Sequence, residues 1–171
     1  DGTPGGFDSE NLYIEGDNLD VLKLLRETYL GKVKMIYIDP PYNTGNDFVY
    51  EDDFSEDADA YSERSGQYDE QGNRLVENTE SNGRFHTDWL NMIYPRLRLA
   101  KDLLASDGVL AISIGYQEVH NLSLLCERLF SNMQVMSITV QTSGGKPNGG
   151  FNISHEHIVF IVPRDYEPIP S

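Results

Sequence analysis

The chain has 171 residues, 39% of them hydrophobic, which is enough for one domain with its own core. Its formal net charge of −15 does not suit a surface that binds phosphates. Eleven acidic residues and two arginines lie between residues 51 and 80 and supply −9 of that charge. The rest of the chain is only mildly acidic, so a basic surface for nucleic acid is expected from additional chain or from a partner.

Several protein classes are excluded at this point. No apolar run approaches the roughly 20 residues that span a bilayer. The first eleven residues lack the basic and apolar regions of a signal peptide. The single cysteine, Cys126, excludes an internal disulfide, and its apolar helical surroundings predict that it is buried. We therefore expect a cytoplasmic protein without membrane contact, with residues 1–10 as a disordered tail and residues 11–171 as one domain.

The first elements follow in chain order. Residues 11–15 (NLYIE) predict a short strand, and a helix follows with Asp17 or Asn18 as its N-cap. The apolar face of that helix is formed by leucines at helical spacing: Leu19, Leu22 and Leu25. Gly31 ends the helix, and residues 35–38 (MIYI) predict a buried strand.

A proline-containing turn, DPPYNTG, comes directly after MIYI, and its two prolines exclude regular structure. Residues 46–86 are polar, acidic and rich in Gly, Asn and Ser. A segment of this length inside a domain predicts an excursion loop, partly disordered or with a short hairpin. The acidic loop is most simply a solvated surface, although it could also cover the active site until DNA displaces it.

The second half begins with a helix that opens near Thr87 or Asp88, buries Trp89 and is kinked at Pro95, with Phe85 and His86 nearer the functional site. The remaining elements are predicted in order: a turn at 107–108, a strand at 109–114, a helix at 118–130, a strand at 134–142, a glycine-rich loop at 143–150 and a strand at 157–162.

Strands alternate with helices until the last two strands, which predict an antiparallel pair. This order favours an α/β fold with a doubly wound, mostly parallel sheet and an antiparallel pair at its C-terminal end. Ligands of such sheets bind beyond the carboxyl ends of the strands. Asp39 follows one predicted strand and Asp17 follows another, so both are predicted at the ligand edge.

The DPPY motif (residues 39–42) combines an acid, a stiff backbone and an aromatic ring. The carboxylate of Asp39 and the carbonyl of Pro40, which has no local N–H beside it, form two fixed acceptors for a group with two N–H donors. Tyr42 offers a face on which a planar ring can stack. The exocyclic amine of a flipped-out base fits this arrangement, since two accepted hydrogen bonds stabilise the positive charge that develops when the amine attacks. The alternative is that Asp39 caps a turn and the prolines merely end a strand.

The chain resembles a known family in four long segments that occur in the expected order: IEGDNLDVLKLL, VKMIYIDPPYNTGNDFVYEDDF, NGRFHTDWLNMIYPRLRLAKDLLASDGVLAISI and QTSGGKPNGGFNISHEHIVFIV. It is similar to β-class amino-methyltransferases, and most to the modification (Mod) subunits of type III restriction–modification systems. The resemblance implies a Rossmann-like fold, S-adenosylmethionine as methyl donor and adenine N6 in double-stranded DNA as acceptor. The catalytic motif of the family corresponds to Asp39, Pro40, Pro41 and Tyr42.

The resemblance also implies roles for other residues. Asp17, Asn18 and Asp39 are expected to contact the cofactor, although Asp17 could equally be only a helix cap. Asn43 and Thr44 are candidate substrate contacts. A restriction (Res) subunit and a second Mod-like subunit are the expected protein partners. An N4-cytosine enzyme uses the same amine chemistry, but its motif usually begins with serine, so Asp39 favours adenine; RNA is a further alternative.

Three departures from the family pattern affect the expectation of activity. Neither the glycine-rich cofactor motif Phe-x-Gly-x-Gly nor the target-recognition region is found in the sequence. Gly115 and Tyr116 stand where relatives often carry acids. We therefore expect a partial methyltransferase domain that is inactive alone, and a non-catalytic fragment is the alternative function.

The glycine-rich segment SGGKPNGG (residues 143–150) contains Lys146, a further candidate substrate contact. It lacks the spacing of a Walker loop. Relatives place this region near the target base, which favours a mobile active-site loop; a plain hairpin connection is the alternative. His155 and His157 share one strand face but have no further ligands at suitable spacing, so no metal site is expected.

Overall fold

The computed structural model describes residues 11–45, 48–50, 67–68, 74–77, 79, 81, 83–148 and 151–167. These residues form the following elements: α1 (Asn18–Tyr29), β1 (Val33–Ile38), β2 (Phe48–Tyr50), β3 (Gln67–Tyr68), β4 (Arg74–Glu77), α2 (Phe85–Leu103), β5 (Leu104–Ile114), α3 (Val119–Leu129), β6 (Met133–Asn148) and β7 (Phe151–Pro163). None of the helices in the described ranges combines the length and apolar character needed to cross a membrane.

The main sheet has the strand order β1-β5-β7-β6. β1 pairs with β5 in parallel, whereas β7 pairs antiparallel with both β5 and β6. The α/β class and the C-terminal antiparallel pair are thus confirmed. The described sheet is mixed rather than mostly parallel, because β7 lies between β5 and β6 and pairs antiparallel with both.

One face of this sheet carries the core. Alternate residues of β5 and β7 pack there with buried residues of α2 and α3, including the predicted Trp89 and Cys126. Both side chains have no exposed surface, and burial raises the pKa of the Cys126 thiol to about 12. The described helices α2 and α3 therefore cover the same face. Apolar side chains on the opposite face are exposed: Met35, Tyr37, Ile138 and Val140.

The first predicted strand is wrong. Residues 11–15 have no regular secondary structure, and all five are exposed. Their alternating apolar residues suit a strand, but a strand also needs a neighbour that supplies backbone partners, and none of the described strands pairs with them. The helix that follows begins as predicted, with Asp17 as N-cap and its carboxylate accepting from the backbone N–H of Asp20 at 3.0 Å. It ends before Gly31, whose φ is +65°.

The predicted buried strand lies at the edge of the sheet. Ile36 and Ile38 pack against the core, but Met35 and Tyr37 are 61% and 59% exposed. A strand inside a parallel sheet is covered on both faces, and this expectation fails for β1 because it borders the described sheet and is covered on one face only.

Two boundaries in the middle of the chain also differ from prediction. Helix α2 begins at Phe85 rather than at Thr87 or Asp88, and it continues through Pro95 to Leu103. Strand β5 starts at Leu104, so residues 107–108 lie within the strand rather than in a turn before it. The parallel register with β1 shifts at this point, which accounts for the turn-like sequence Asp-Gly inside a strand.

The predicted loops contain more strand than expected. The 46–86 segment includes the small antiparallel sheet β2-β4-β3, in agreement with the hairpin alternative, while most of residues 51–80, including any cover over the site, lies outside the described residues. Residues 143–148 are not a separate loop, because β6 extends through them and pairs with β7 again from Lys146 to Asn148, while residues 149 and 150 lie outside the described residues. The register of the two strands shifts between Gln141 and Lys146, so Gly144 and Gly145 are accommodated as an irregularity in a long hairpin.

Candidate active site

The turn after β1, residues 39–43, lies at the carboxyl edge of the only parallel strand pair among the described strands. Asp39 is exposed and Pro40 is buried. Both line a cavity of about 480 Å³ between α1, β1 and α2. This volume falls in the range of small-molecule pockets. The predicted position of Asp39 at the carboxyl edge of the sheet is therefore confirmed, and its role as a ligand contact stays a prediction.

The turn is anchored to α2 by a tryptophan. The indole Nε1 of Trp89 donates a hydrogen bond to the carbonyl oxygen of Pro41 at 2.7 Å. Trp89 has no exposed surface, so this anchor is set in the packed core. The carbonyl of Pro41 is thus occupied by the protein, whereas Pro40 faces the cavity.

A second anchor follows at Asn43, which is fully buried and has a φ of 60°. Its side-chain Nδ2 donates to Glu118 Oε1 at 2.6 Å and makes a longer bond of 3.4 Å to the carbonyl of Phe85. Non-glycine residues rarely adopt this left-handed conformation, and asparagine is among the residues that tolerate it best. The side chain predicted to contact substrate is therefore turned into the protein.

Glu118 accepts hydrogen bonds from side chains in three parts of the chain. It has no exposed surface, and its carboxylate accepts from Asn43, from His86 Nδ1 at 2.6 Å and from Asn121 Nδ2 at 2.8 Å. We call these four residues the Glu118 cluster. His86 is about half exposed and Asn121 is partly buried, so the cluster reaches the surface at both of these side chains.

Tyr42 lies between the turn and the hairpin. Its hydroxyl donates to Glu156 Oε2 at 3.3 Å. Partial burial, with the charges of Asp39 and Glu156, raises the pKa of Tyr42 to about 12. The ring packs beside Gly115, where an added Cβ would lie 3.3 Å from Tyr42 Cδ2. The strand end at Gly115, where the sequence departs from the family, therefore borders the aromatic residue of the motif.

The cofactor candidates divide between two environments. Asn18 lines the 480 Å³ cavity together with Asp39, and its Oδ1 accepts from Arg96 Nε at 2.6 Å. Asp17 is the helix cap and is not among the residues that line this cavity. A larger groove of about 880 Å³ lies across the outer surfaces of α1, α2 and α3, but no residue of the 39–43 turn lines it. The smaller cavity is the better candidate site because it carries the acid of the motif.

The remaining candidate residues from the sequence lie outside the turn and the cavity. Thr44 is exposed next to the turn. Lys146 pairs with Ile153 in the β6–β7 hairpin. His155 and His157 form an edge-to-face pair with ring centroids 5.3 Å apart, and burial and the neighbouring histidine lower the pKa of His157. Among the described residues no group of three or more metal-ligating side chains is found.

The roles of three residues that hold the site were not predicted from the sequence: Trp89 as a hydrogen-bond donor, Glu118 and Arg96. His86 was expected near the site, and its contact with Glu118 agrees with that expectation. A signal was available for Glu118, because an acid at the predicted start of a helix is favoured by the helix dipole. The sequence pattern gave no indication that it would bind the turn instead.

Comparison with known proteins identifies the family. Residues 33–168 match the DNA methylase family. The chain belongs to this family. The Mod subunit of the type III restriction–modification enzyme EcoPI from Escherichia phage P1 is 44% identical over 154 residues, which are 88% of this chain and 24% of that protein. The EcoP15I Mod subunit from Escherichia coli is 42% identical over 155 residues, with 90% and 24% covered.

A more distant DNA methylase relative is the type II methyltransferase M.KpnI from Klebsiella pneumoniae, at 31% identity over 155 residues, 90% of this chain and 32% of that protein. The chain spans about a quarter of the length of the Mod subunits that it matches. Among solved structures, TTHA0409 from Thermus thermophilus superposes with a TM-score of 0.54 at 14% identity over 91% of this chain and 54% of that one. Its complex with S-adenosyl-L-methionine gives 0.53 at 13% identity. These structures share the fold.

Proposed function

We propose that the protein acts as an S-adenosylmethionine-dependent DNA methyltransferase of a restriction–modification system, with adenine N6 as acceptor. The observation that carries this proposal is the placement of Asp39, exposed on the wall of the 480 Å³ cavity in a turn whose backbone is anchored by Trp89. The family membership of residues 33–168 supports the same chemistry.

The turn has the properties needed to hold an amino group. Asp39 contributes a carboxylate acceptor at the cavity wall, and neither Pro40 nor Pro41 has an N–H beside the carbonyl of Pro40. The N6 amine can donate one hydrogen bond to each of these two acceptors. Both hydrogen bonds raise the electron density on N6 and stabilise the positive charge that develops as N6 attacks. Asp39 and Pro40 would hold the amine while it gains the methyl group that S-adenosylmethionine would supply, and the surplus N6 proton would pass to the Asp39 carboxylate or to water. Tyr42, beside Asp39, provides the aromatic face for the flipped base.

The wall of the cavity combines apolar and polar groups, as binding of the methyl donor requires. One part of the wall is apolar, from residues of α1, β1 and α2, and Asp39 and Asn18 supply polar atoms. S-adenosylmethionine combines an adenine ring with charged and hydroxyl groups, so it needs both kinds of surface. When bound, it supplies an activated methyl group on a sulfonium. Asp39 and Asn18 would hold it, and Arg96 fixes the side chain of Asn18.

Partners follow from the same proposal. Double-stranded DNA is the substrate, and the Mod subunits among the relatives favour a Res subunit and a second Mod-like subunit as protein partners. Such a protein would work in the cytoplasm, where its DNA lies. A basic DNA-binding surface would come from these partners or from flanking chain, since residues 1–171 carry a net charge of −15.

The test is a methylation assay on the protein as it occurs, with any sequence that flanks residues 1–171. We expect methyl transfer from labelled S-adenosylmethionine to unmethylated double-stranded DNA, and we expect Asp39→Ala to abolish it while the circular dichroism spectrum is unchanged. Asp165→Ala is the matched control, because Asp165 is exposed beyond β7 at the opposite edge of the sheet. Activity retained in Asp39→Ala would contradict the proposed role of the turn.

The acceptor base is decided by product analysis. Digestion of methylated DNA to nucleosides and mass spectrometry should give N6-methyladenine. N4-methylcytosine would keep the amine chemistry and correct the base, while methylation of RNA alone would correct the substrate class.

A further inference from the structure

We propose that Glu118 is a positioning residue for methyl transfer, which holds the 39–43 turn in its working conformation through Asn43. This inference rests on the proposed function for its kinetic part, and on the geometry of the Glu118 cluster for its structural part. Glu118 does not line the cavity that contains Asp39, so it acts through the turn rather than on a reacting atom.

The burial of Glu118 requires an explanation. A carboxylate without exposed surface is destabilising unless hydrogen-bond donors satisfy it. Three donors do so, and they come from three elements: Asn43 from the turn, His86 from α2 and Asn121 from α3. An ionised carboxylate only accepts, so the cluster is a matched set of one acceptor group and three donors.

Helix capping does not account for this arrangement. Glu118 occupies the N-cap position of α3, but its side chain makes no capping hydrogen bond to the helix. Its carboxylate accepts from three side chains instead: Asn43 of the turn, His86 of α2 and Asn121 of α3. The helix N-terminus still favours a negative charge at this place.

Asn43 is the point at which Glu118 acts on the turn. Its φ of 60° is unfavourable for a residue with a side chain, so a local contact must stabilise it. The 2.6 Å bond to Glu118 Oε1 provides one such contact. Two residues earlier, the carbonyl of Pro41 is bound by Trp89. Two fixed points this close define the path of the backbone, and hence the direction in which Asp39 and Pro40 face the cavity.

Loss of such a positioning contact should reduce the rate of the chemical step more than it weakens binding. Misplacement of catalytic groups by about 1 Å can lower a rate roughly 100-fold. We therefore expect kcat to fall about 10- to 100-fold, while KM for DNA and for S-adenosylmethionine stays within about threefold.

Two variants test the contact from its two sides. Asn43→Gly removes the amide donor, and glycine adopts the same φ without strain, so this variant is expected to fold. Glu118→Gln removes the charge and places an NH₂ group among donors. Glu127→Gln is the matched control, because Glu127 is an exposed acid on the same helix, α3.

Trp89 gives a readout that is independent of activity. It is the single tryptophan among residues 1–171, and loss of its signal in Trp89→Phe assigns its indole N–H in the NMR spectrum of the whole protein, where its hydrogen exchange reports on the bond to Pro41. We expect exchange at least about tenfold faster in Asn43→Gly and Glu118→Gln than in wild type or Glu127→Gln, since the protection reflects local opening.

The outcomes separate this inference from the proposed function. Faster indole exchange with a lower kcat and unchanged KM supports it. Unchanged exchange in both variants, or faster exchange with unchanged kcat, overturns it. If wild type methylates neither DNA nor RNA, the proposed function fails, and the exchange rates alone decide whether Glu118 holds the turn.

Discussion

The two ends of the 39–43 turn differ in how firmly the protein holds them. At the C-terminal end, Asn43 is fully buried and bound to Glu118, and the carbonyl of Pro41 is bound to a tryptophan in the core. At the N-terminal end, Asp39 is exposed on a cavity wall. The fixed end gives the turn its shape, and the open end presents the acid, so stability and activity should depend on different residues of one short segment.

The largest expected effect lies at the open end. Asp39→Asn keeps the volume of the side chain and removes its charge, so methyl transfer should fall on the order of 10²- to 10³-fold. The free energy of unfolding should change by less than about 0.5 kcal/mol, because Asp39 is exposed. Single-turnover kinetics and urea denaturation measure the two quantities. A clear loss of stability would show that Asp39 also supports the fold and would remove the contrast between the ends.

The next effect lies at the fixed end. Trp89→Phe keeps most of the apolar volume but removes the donor to Pro41, and it should lower the free energy of unfolding by about 1–3 kcal/mol. Tyr94→Phe is the control, since Tyr94 lies on the same helix and is 42% exposed. Equal denaturation midpoints for the two variants would mean that the indole bond contributes little.

A smaller effect on stability is expected at Asp17, and it tests whether this residue caps α1 or contacts the cofactor. Asp17→Ala should cost about 1 kcal/mol of stability through loss of the α1 cap, and Asp17→Asn should restore most of it. If Asp17 only caps the helix, the dissociation constant for S-adenosylmethionine should differ little between wild type and Asp17→Asn, in which the cap is kept. Titration calorimetry would detect a large loss of cofactor affinity in Asp17→Asn, which would assign a direct cofactor contact to Asp17.

The smallest effect is a dependence of stability on high pH. The pKa of Tyr42 is raised to about 12, so the folded protein keeps this proton when the unfolded chain, with a pKa of about 10, has lost it. The contribution of Tyr42 is therefore complete below pH 10 and declines between pH 10 and 12. Tyr42→Phe should make the unfolding free energy fall less steeply in that interval, and equal slopes for the two proteins would contradict the shift.

The parts of the site that are local in sequence were predictable. The position of the DPPY motif after β1 was correct, because a strand, an acid and two prolines in succession determine their own geometry. The bonds that hold the turn were not predictable, since Trp89 and Pro41 are 48 residues apart and Glu118 and Asn43 are 75 apart. Burial patterns show that such residues are inside, but they do not show which of them meet.

The fold shows the same division between local and distant information. Helix α3 and the Asp17 cap follow from local patterns, and both are confirmed. The strand at residues 11–15 failed because strand formation depends on a neighbour that a local pattern does not reveal. The mixed sheet was missed for a related reason: β7 lies between β5 and β6, and strand order is a property of the whole chain.

The edge position of β1 has a practical consequence for handling the protein. The outer side of an edge strand offers unpaired backbone groups that can recruit a strand from another molecule. Here that edge adjoins exposed Met35 and Tyr37, and the one charged residue of β1, Lys34, is ion-paired with Asp107 of β5. Purified samples of residues 1–171 should therefore be sensitive to self-association, and replacing exposed Met35 with lysine should raise the concentration at which they precipitate.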